Sequence, residues 1–378
     1  MSGLALDLPR PALEDPMTRY AFPILLLAAA CSVEKTDRES TPDTTAASGP
    51  AVDTTTSFRA AARQDTARGA LSDTSTAMAA AIDSGNVRMT PERIRRGGVL
   101  VAIAHGLTME SPRCSWKGGP LPCYRTPAGV RAIVPLPADA PGGRYALVID
   151  RPASRITREV SVAETDFGRE IIFLDDTVHS ILRRGRDIAR DARAIRRVLE
   201  TETPEQRWSG SWRMPVDGGK TSGYGVERFY HRASDSTRVV RLETSARARG
   251  SFGVDTVSGD APAWRHAGVD IAVPRGTTVR APQAGAVAEI GDYALMGRTL
   301  ILDHGQGVHS AYFHLDTILV REGDEVRRGA ALARVGATGL ATGPHLHYGI
   351  YIHGKDVDPT AWHAIPSATL DPESSKPR

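Results

Sequence analysis

Thr342-Gly343-Pro344-His345-Leu346-His347-Tyr348 decides how this chain is read. Side chains alternate across a β-strand, so histidines two apart on a strand face the same way. Two imidazoles on one face can share a metal, or divide the roles of ligand and catalyst. Upstream, His266-Ala267-Gly268-Val269-Asp270 sets a His and a carboxylate four apart at the head of another apolar strand. Together the two stretches offer two His and one Asp to a divalent ion. Three protein ligands with a fourth position left to water is the arrangement of catalytic rather than structural zinc. Hydrolysis is the chemistry that follows.

Eleven His occur in 378 residues, and a lone His-x-His or His-x-x-x-Asp arises readily by chance. The surroundings add weight. Gly343 and Pro344 fix the approach to the strand, and Tyr312-Phe313-His314-Leu315 places one more His at the end of a β-like run. The remaining histidines read differently. His304, in Asp303-His304-Gly305-Gln306-Gly307, reads as a turn residue near the cleft. His105, His179, His231, His309, His353 and His363 have no partner at ligand spacing and read as surface or loop residues.

Further motifs accompany these in order. They are Thr221-Ser222-Gly223-Tyr224-Gly225-Val226-Glu227-Arg228, Gly276-Thr277-Thr278-Val279-Arg280-Ala281-Pro282, Gly285-Ala286-Val287, Ile301-Leu302-Asp303-His304-Gly305 and Gly323-Asp324-Glu325-Val326. With them, the stretch from about Trp212 to Trp362 resembles the LytM/lysostaphin-type zinc metalloendopeptidases, which cut peptide cross-links in bacterial cell walls. The resemblance implies one Zn2+ held by His266, Asp270 and His347, with His314 and His345 as catalytic histidines. It implies peptidoglycan stem peptides as substrate; it leaves open whether the bond cut lies between D-Ala and a diamino acid or within a Gly bridge, and the lipid anchor expected from Cys31 favours the former. Relatives lacking ligands act as non-catalytic activators of wall amidases, an alternative that the five intact positions oppose. A peptidase acting on protein substrates is the other alternative. Some members hold the oxyanion with a Tyr shortly before the first ligand. Asp260 to Arg265 contains none, and Tyr348 and Tyr224 are the substitutes at hand.

The chemistry agrees with the residue types. Zinc lowers the pKa of bound water from 15.7 to about 7 and polarises a carbonyl. Proton transfer then needs a group titrating near neutrality, and His is the side chain that does so unperturbed. No His-Glu-x-x-His occurs, which excludes the helix-borne design with a Glu base. Short apolar runs between Gly and Asp turns predict a mainly β fold with an antiparallel catalytic sheet of barrel-sandwich character. The turns at 276–282 and 321–329 also resemble those of biotinyl and lipoyl carrier domains. A carrier needs a Lys at a hairpin tip, and from Trp264 to Trp362 the only Lys is Lys355, beyond the last strand motif.

Net charge is +3, from 47 Lys+Arg against 44 Asp+Glu, and no basic-aromatic or finger spacing points to nucleic acid. Cys31 ends the run Tyr20 to Ala30, too short for the roughly 20 residues that span a bilayer but suited to a signal-peptide core. Small residues before a Cys resemble a bacterial lipoprotein processing site, with translation starting at Met17 after an ill-suited acidic leader. Lipidation of Cys31 follows as an expectation, with a membrane anchor, and Ser32 favours the outer membrane facing the periplasm. Cys114 and Cys123 flank a short Gly- and Pro-containing loop and are expected to close a disulfide once exported.

The domain reading is a signal segment over 1–31, a flexible Thr/Ser/Ala-rich tether over 32–85 and an immunoglobulin-like β-sandwich over 86–165. A helical linker over 166–207, the metallopeptidase domain over 208–365 and a flexible tail over 366–378 complete it. Within the linker, apolar residues at a 3.6-residue period predict one helix from Asp175 to Glu200, its other face carrying seven Arg. Residues 232–263, rich in Arg, Ser and Asp, form an insertion before His266, read either as a lid or regulatory-partner loop or as a passive surface loop.

Overall fold

The structure, a computed structural model, describes residues 87–107, 110–150, 155–235 and 263–370. The signal segment, Cys31, the tether, most of the 232–263 insertion and the last eight residues lie outside the described residues. Among the described residues no helix is long and apolar enough to cross a membrane.

Two sheets make up the N-terminal part. One is ordered β1 (Val87–Thr90), β3 (Val99–His105), β7 (Gly129–Pro135), β6 (Cys123–Thr126). The other runs β2 (Ile94–Arg95), β9 (Arg155–Ala163), β8 (Gly143–Asp150), β4 (Arg113–Trp116), β5 (Gly119–Leu121). β9 alternates as a half-buried strand should: Ile156, Val160 and Val162 are buried while Arg155, Glu159 and Ser161 are exposed. β3 and β7 do not alternate; six of seven residues in each are buried. Strands read as continuous apolar runs when both faces are covered. Leu100, Ala102, Ala104, Val130, Ala132 and Val134 fill the sandwich core, whereas Val99, Val101, Ile103 and Ile133 pack with Trp208, Trp212 and Tyr224 beyond it. Cys114 on β4 and Cys123 on β6 are bonded, with Cα atoms 6.0 Å apart, and so tie the two sheets together.

Arg131 sits on the outward face of β7 with no exposed surface. Its guanidinium donates to the Leu370 carbonyl at 2.5 Å, to Gln206 Oε1 at 2.6 Å and to Gln306 Oε1, and it lies 5.1 Å over the Trp208 ring. A buried cation is tolerated when acceptors replace its hydration, and these three come from outside the sandwich.

The region between the sandwich and the large sheet departs from a plain helical linker. Arg169–Leu174 forms β10, which pairs in parallel with β12 (Glu227–Arg232), itself antiparallel to β13 (Ala263–Arg265). The predicted single helix is broken. Asp175 caps α1 (Asp176–Ser180) by accepting from Val178 N at 2.8 Å, a 3-10 turn follows, and α2 begins at Gly185 and runs to Leu199. Arg184, at φ −82° and ψ 47°, leaves helical geometry just before Gly185, the weakest helix former in the stretch. The helical period continues across the break, which is why it reads as one helix. α2 buries Asp191, Ile195 and Leu199, and Asp191 Oδ2 accepts from the Ala294 amide at 2.8 Å.

The large sheet is ordered β11 (Gly219–Ser222), β14 (Val269–Ala272), β21 (Leu346–Ile352), β18 (Val308–Ile318), β17 (Gly297–Asp303), β16 (Gly285–Tyr293), β19 (Glu325–Val326). β20 (Ala331–Val335) joins at β18 and pairs β15 (Thr278–Arg280), and β22 (Lys355–Val357) pairs β21. All seven residues of β21 are buried. Its even positions, Leu346, Tyr348, Ile350 and Ile352, join the core containing Trp212 and Trp362. Tyr351 joins the core formed by β10, α2 and β12 residues such as Ile172, Ile195 and Tyr230. Short helices α3 (Pro359–His363) and α4 (Ser367–Leu370) close the described chain. Leu370 is 1% exposed, so the tail expected from residue 366 is packed through 370.

Histidines read as turn, loop or surface residues are buried or partly buried. His304 is fully buried, bonded to the Ala284 carbonyl at 2.6 Å and to Ser310 Oγ at 2.7 Å. His309 is fully buried on β18, and His363 meets the Tyr348 hydroxyl at 3.0 Å. Strand alternation puts both faces of β18 into a core, a feature that ligand spacing cannot reveal.

Arg131→Ala is expected to destabilise the protein by about 2–4 kcal/mol in urea unfolding, because it strips charged donors from buried acceptors. Burial also holds His304 and His363 at about 4 when folded, against 6.5 in the open chain. The unfolded chain therefore binds more protons as pH falls through this window. Stability is expected to be full above about pH 6.5 and to decline toward pH 4, and His304→Asn should make that decline shallower in thermal melts.

Candidate metal centre

Cross-strand register brings together two of the three candidate ligands. Asp270 on β14 and His347 on β21 are direct partners in the antiparallel ladder, so their side chains rise side by side on one face. His266 precedes β14 and is anchored through its backbone, its amide donating to Val226 O at 2.9 Å and its carbonyl accepting from Gly225 N at 2.7 Å. His266 Nε2 lies 3.1 Å from Asp270 Oδ1 and 3.0 Å from His347 Nδ1, and His347 Nδ1 lies 3.0 Å from Asp270 Oδ1. None of the three residues has exposed surface.

These atoms fit a metal. A tetrahedral ion with bonds of 2.0–2.1 Å sets its ligand atoms about 3.3 Å apart, close to the triangle seen. His266 Nδ1 is 2.7 Å from the Gly223 carbonyl, which can only accept. The proton therefore sits on Nδ1, and the Nε2 lone pair points into the triangle. Burial drives the His266 imidazole below its ordinary 6.5 and His347 to about 4, so both imidazoles are neutral at pH 7, the form a metal needs. Burial alone would raise the Asp270 carboxyl, but the positive charge of Arg228 beside it works the other way, and the carboxyl is held well below 3.8. Arg228, also unexposed, places Nη2 2.7 Å from Asp270 Oδ2 and Nε 3.1 Å from Glu170 Oε2.

Packing fixes the imidazoles. Phe313, the partner of His347 on β18, stacks on its ring at 4.9 Å between centroids and 7° between planes. Gly268 lets the loop pass over His347: a Cβ there would lie 2.4 Å from Tyr348 O and 2.7 Å from His347 Nε2.

His314 and His345 flank the triangle. Their ring centroids are 4.7 Å apart, and His314 lies 6.3 Å from His347. His345 stands one residue before β21, bridged to Gly336, so it approaches from the strand's mouth rather than from within the ladder. His314 has φ 61°, a conformation costly for a residue with a Cβ, where β18 bulges. Its amide donates to Met296 O at 2.9 Å and its Nδ1 bonds Thr338 O at 2.7 Å. His345 Nδ1 bonds Gly343 O at 2.8 Å. Both rings therefore carry the proton on Nδ1, and both Nε2 atoms are buried without a protein partner. Burial, with His345 and His347 nearby, holds His314 well below 6.5.

The Tyr substitutes are not at this site. The Tyr224 hydroxyl donates to Asp356 Oδ2 at 2.6 Å and accepts from Ala138 N at 2.9 Å, while Tyr348 points to the opposite face of β21 and meets His363. Sequence reasoning also missed Glu170, which it placed in a linker, and left Arg228 without a role. The signal available was Arg228 on an apolar strand, Arg228-Phe229-Tyr230, where a charge needs a partner.

Residues 264–359 match Peptidase family M23, about a quarter of the chain. This stretch is an M23 domain. The chain is 41% identical over 108 residues to the DD-carboxypeptidase/endopeptidase Mpg of Neisseria meningitidis, covering 28% of this chain and 25% of the relative. It is 35% identical over 156 residues to the peptidoglycan DD-endopeptidase ShyB of Vibrio cholerae, covering 37% of this chain and 35% of that one. The chain thus spans only a quarter to a third of the length of these relatives. A crystal structure described as a peptidase M23 from Pseudomonas aeruginosa is 28% identical with a TM-score of 0.51. It covers 72% of this chain and 95% of its own, so that likeness extends beyond the M23 match.

Gly268→Ala is expected to leave the fold intact by circular dichroism and to lower zinc affinity at least about tenfold in chelator competition, by displacing His347.

Proposed function

We propose that this chain is an exported zinc endopeptidase that hydrolyses peptide cross-links of peptidoglycan, at bonds between D-Ala and a diamino acid. The observation that carries the reading is the buried triangle of His266, Asp270 and His347 with two partnerless imidazole nitrogens beside it. The relatives named peptidoglycan DD-endopeptidase and DD-carboxypeptidase/endopeptidase supply the substrate class. A cell-envelope location follows from that substrate, and Cys31 as the lipidated anchor in the outer membrane completes the placement.

His266 Nε2, Asp270 Oδ1 and His347 Nδ1 would hold the ion, which when bound supplies an acidified water and a Lewis acid for the scissile carbonyl. The remaining work falls to His314 and His345. Each is locked by its Nδ1–H on a backbone carbonyl, so each presents an Nε2 lone pair of fixed direction. One nitrogen takes a proton from the attacking water, and a protonated imidazole then serves the developing oxyanion or the leaving amine. Holding His314 neutral by burial keeps its lone pair available at pH 7.

Incubation with isolated sacculi, read by mass spectrometry, is expected to release uncross-linked peptides in a zinc-dependent way. His314→Ala and His345→Ala should each lower the rate by about 10²–10⁴ while retaining metal, and His347→Ala should lose the metal itself. Intact sacculi in the presence of metal-loaded protein would overturn the proposal.

A further inference from the structure

The two oxygens of Asp270 do different work. Oδ1 lies 3.0–3.1 Å from the two histidine ligand atoms, while Oδ2 is 2.7 Å from Arg228 Nη2. Arg228 and Asp270 have no exposed side-chain surface. Arg228 is itself held from behind, Nε to Glu170 Oε2 at 3.1 Å, and Glu170 accepts from Ser222 Oγ at 2.8 and 2.9 Å. Glu170 and Arg228 are register partners in the parallel β10–β12 ladder, so the backbone sets their separation. A line of alternating charge thus runs from β10, upstream of the M23 match, to a metal ligand.

We propose that Arg228 is a positioning residue that restricts Asp270 to one-oxygen metal ligation, and that Glu170 fixes Arg228 for that purpose. Chelation through both oxygens would require Oδ2 to leave a buried guanidinium, stranding its charge. With Oδ2 occupied, the carboxylate offers the ion one lone pair, and the position that a second oxygen would take stays open for water or the scissile carbonyl. A buried ion chain is weak evidence for stability, since apolar replacements often serve as well. Its place directly behind a metal ligand gives it a role that stability does not. This inference rests on the metal reading of the site and not on the identity of the substrate.

The test uses the full chain loaded with Co2+ or Zn2+, as wild type, Arg228→Met, Arg228→Lys and Glu170→Gln, with thermal melts to verify folding. Arg228→Met is expected to weaken Zn2+ binding about 10–100-fold in chelator competition. It should also weaken the visible Co2+ absorption bands, as four-coordinate cobalt gives way to five-coordinate. Arg228→Lys should recover band intensity by restoring a charge on Oδ2, and Glu170→Gln should lower affinity a few-fold, by about 2–5 times, at unchanged melting midpoint. Unchanged affinity and spectrum in Arg228→Met overturn the proposal. Should that variant fail to fold, an unchanged Glu170→Gln does the same. Cobalt spectra that shift as expected without any cleavage of sacculi overturn the peptidase proposal and leave this one standing.

Discussion

Asp270 is a carboxylate with no contact to water, and much of the surrounding architecture serves to keep it charged. A buried ionised carboxylate is tolerated only when opposite charge and hydrogen bonds replace hydration. Its neighbours come from three directions, His347 across the β14–β21 ladder, His266 from the loop before β14 and Arg228 from β12, and Arg228 is the one that brings a fixed opposite charge. Each depends on a different piece of the fold, so the site forms only where those pieces meet. Phe313, Gly268 and the Gly223 carbonyl then fix which way the imidazoles face.

Much of the site was legible because its signals are local. His266 and Asp270 sit four apart, and His345 and His347 two apart, so one strand and its approach declare most of the chemistry. The β class was legible for the same reason, through short apolar runs between Gly and Asp turns. What escaped was set by distance in sequence. Glu170 reaches Arg228 across 58 residues, and nothing in Arg169–Leu174 distinguishes a parallel strand from a linker until β12 lies beside it. The interior position of His309 escaped too, because strands with both faces covered lose the alternation that marks one face as solvent. The helix break at Arg184-Gly185 was hidden by a hydrophobic period that runs on through it.

β3 and β7 explain why the sandwich is not an appendage. Their inward residues build one core and their outward residues another, with Arg131 bonded to groups as far along the chain as Leu370. The Tyr224 hydroxyl, between Ala138 N and Asp356, adds a polar tie beside the apolar one. A residue drawn from the motif that opens the peptidase region thus serves cohesion rather than catalysis.

The dual use of β3 and β7 bears on how such a chain can change over evolutionary time. Domains joined by a linker can be exchanged, duplicated or lost without disturbing one another. Here a substitution at Val101 or Ile103 alters packing under Trp208 and Trp212, and one at Leu100 or Ala102 alters the sandwich interior two positions away. The two halves must therefore vary together. Recombination at the edges of the M23 match would leave Arg228 and Glu170 behind, separating a metal ligand from the charges that hold it.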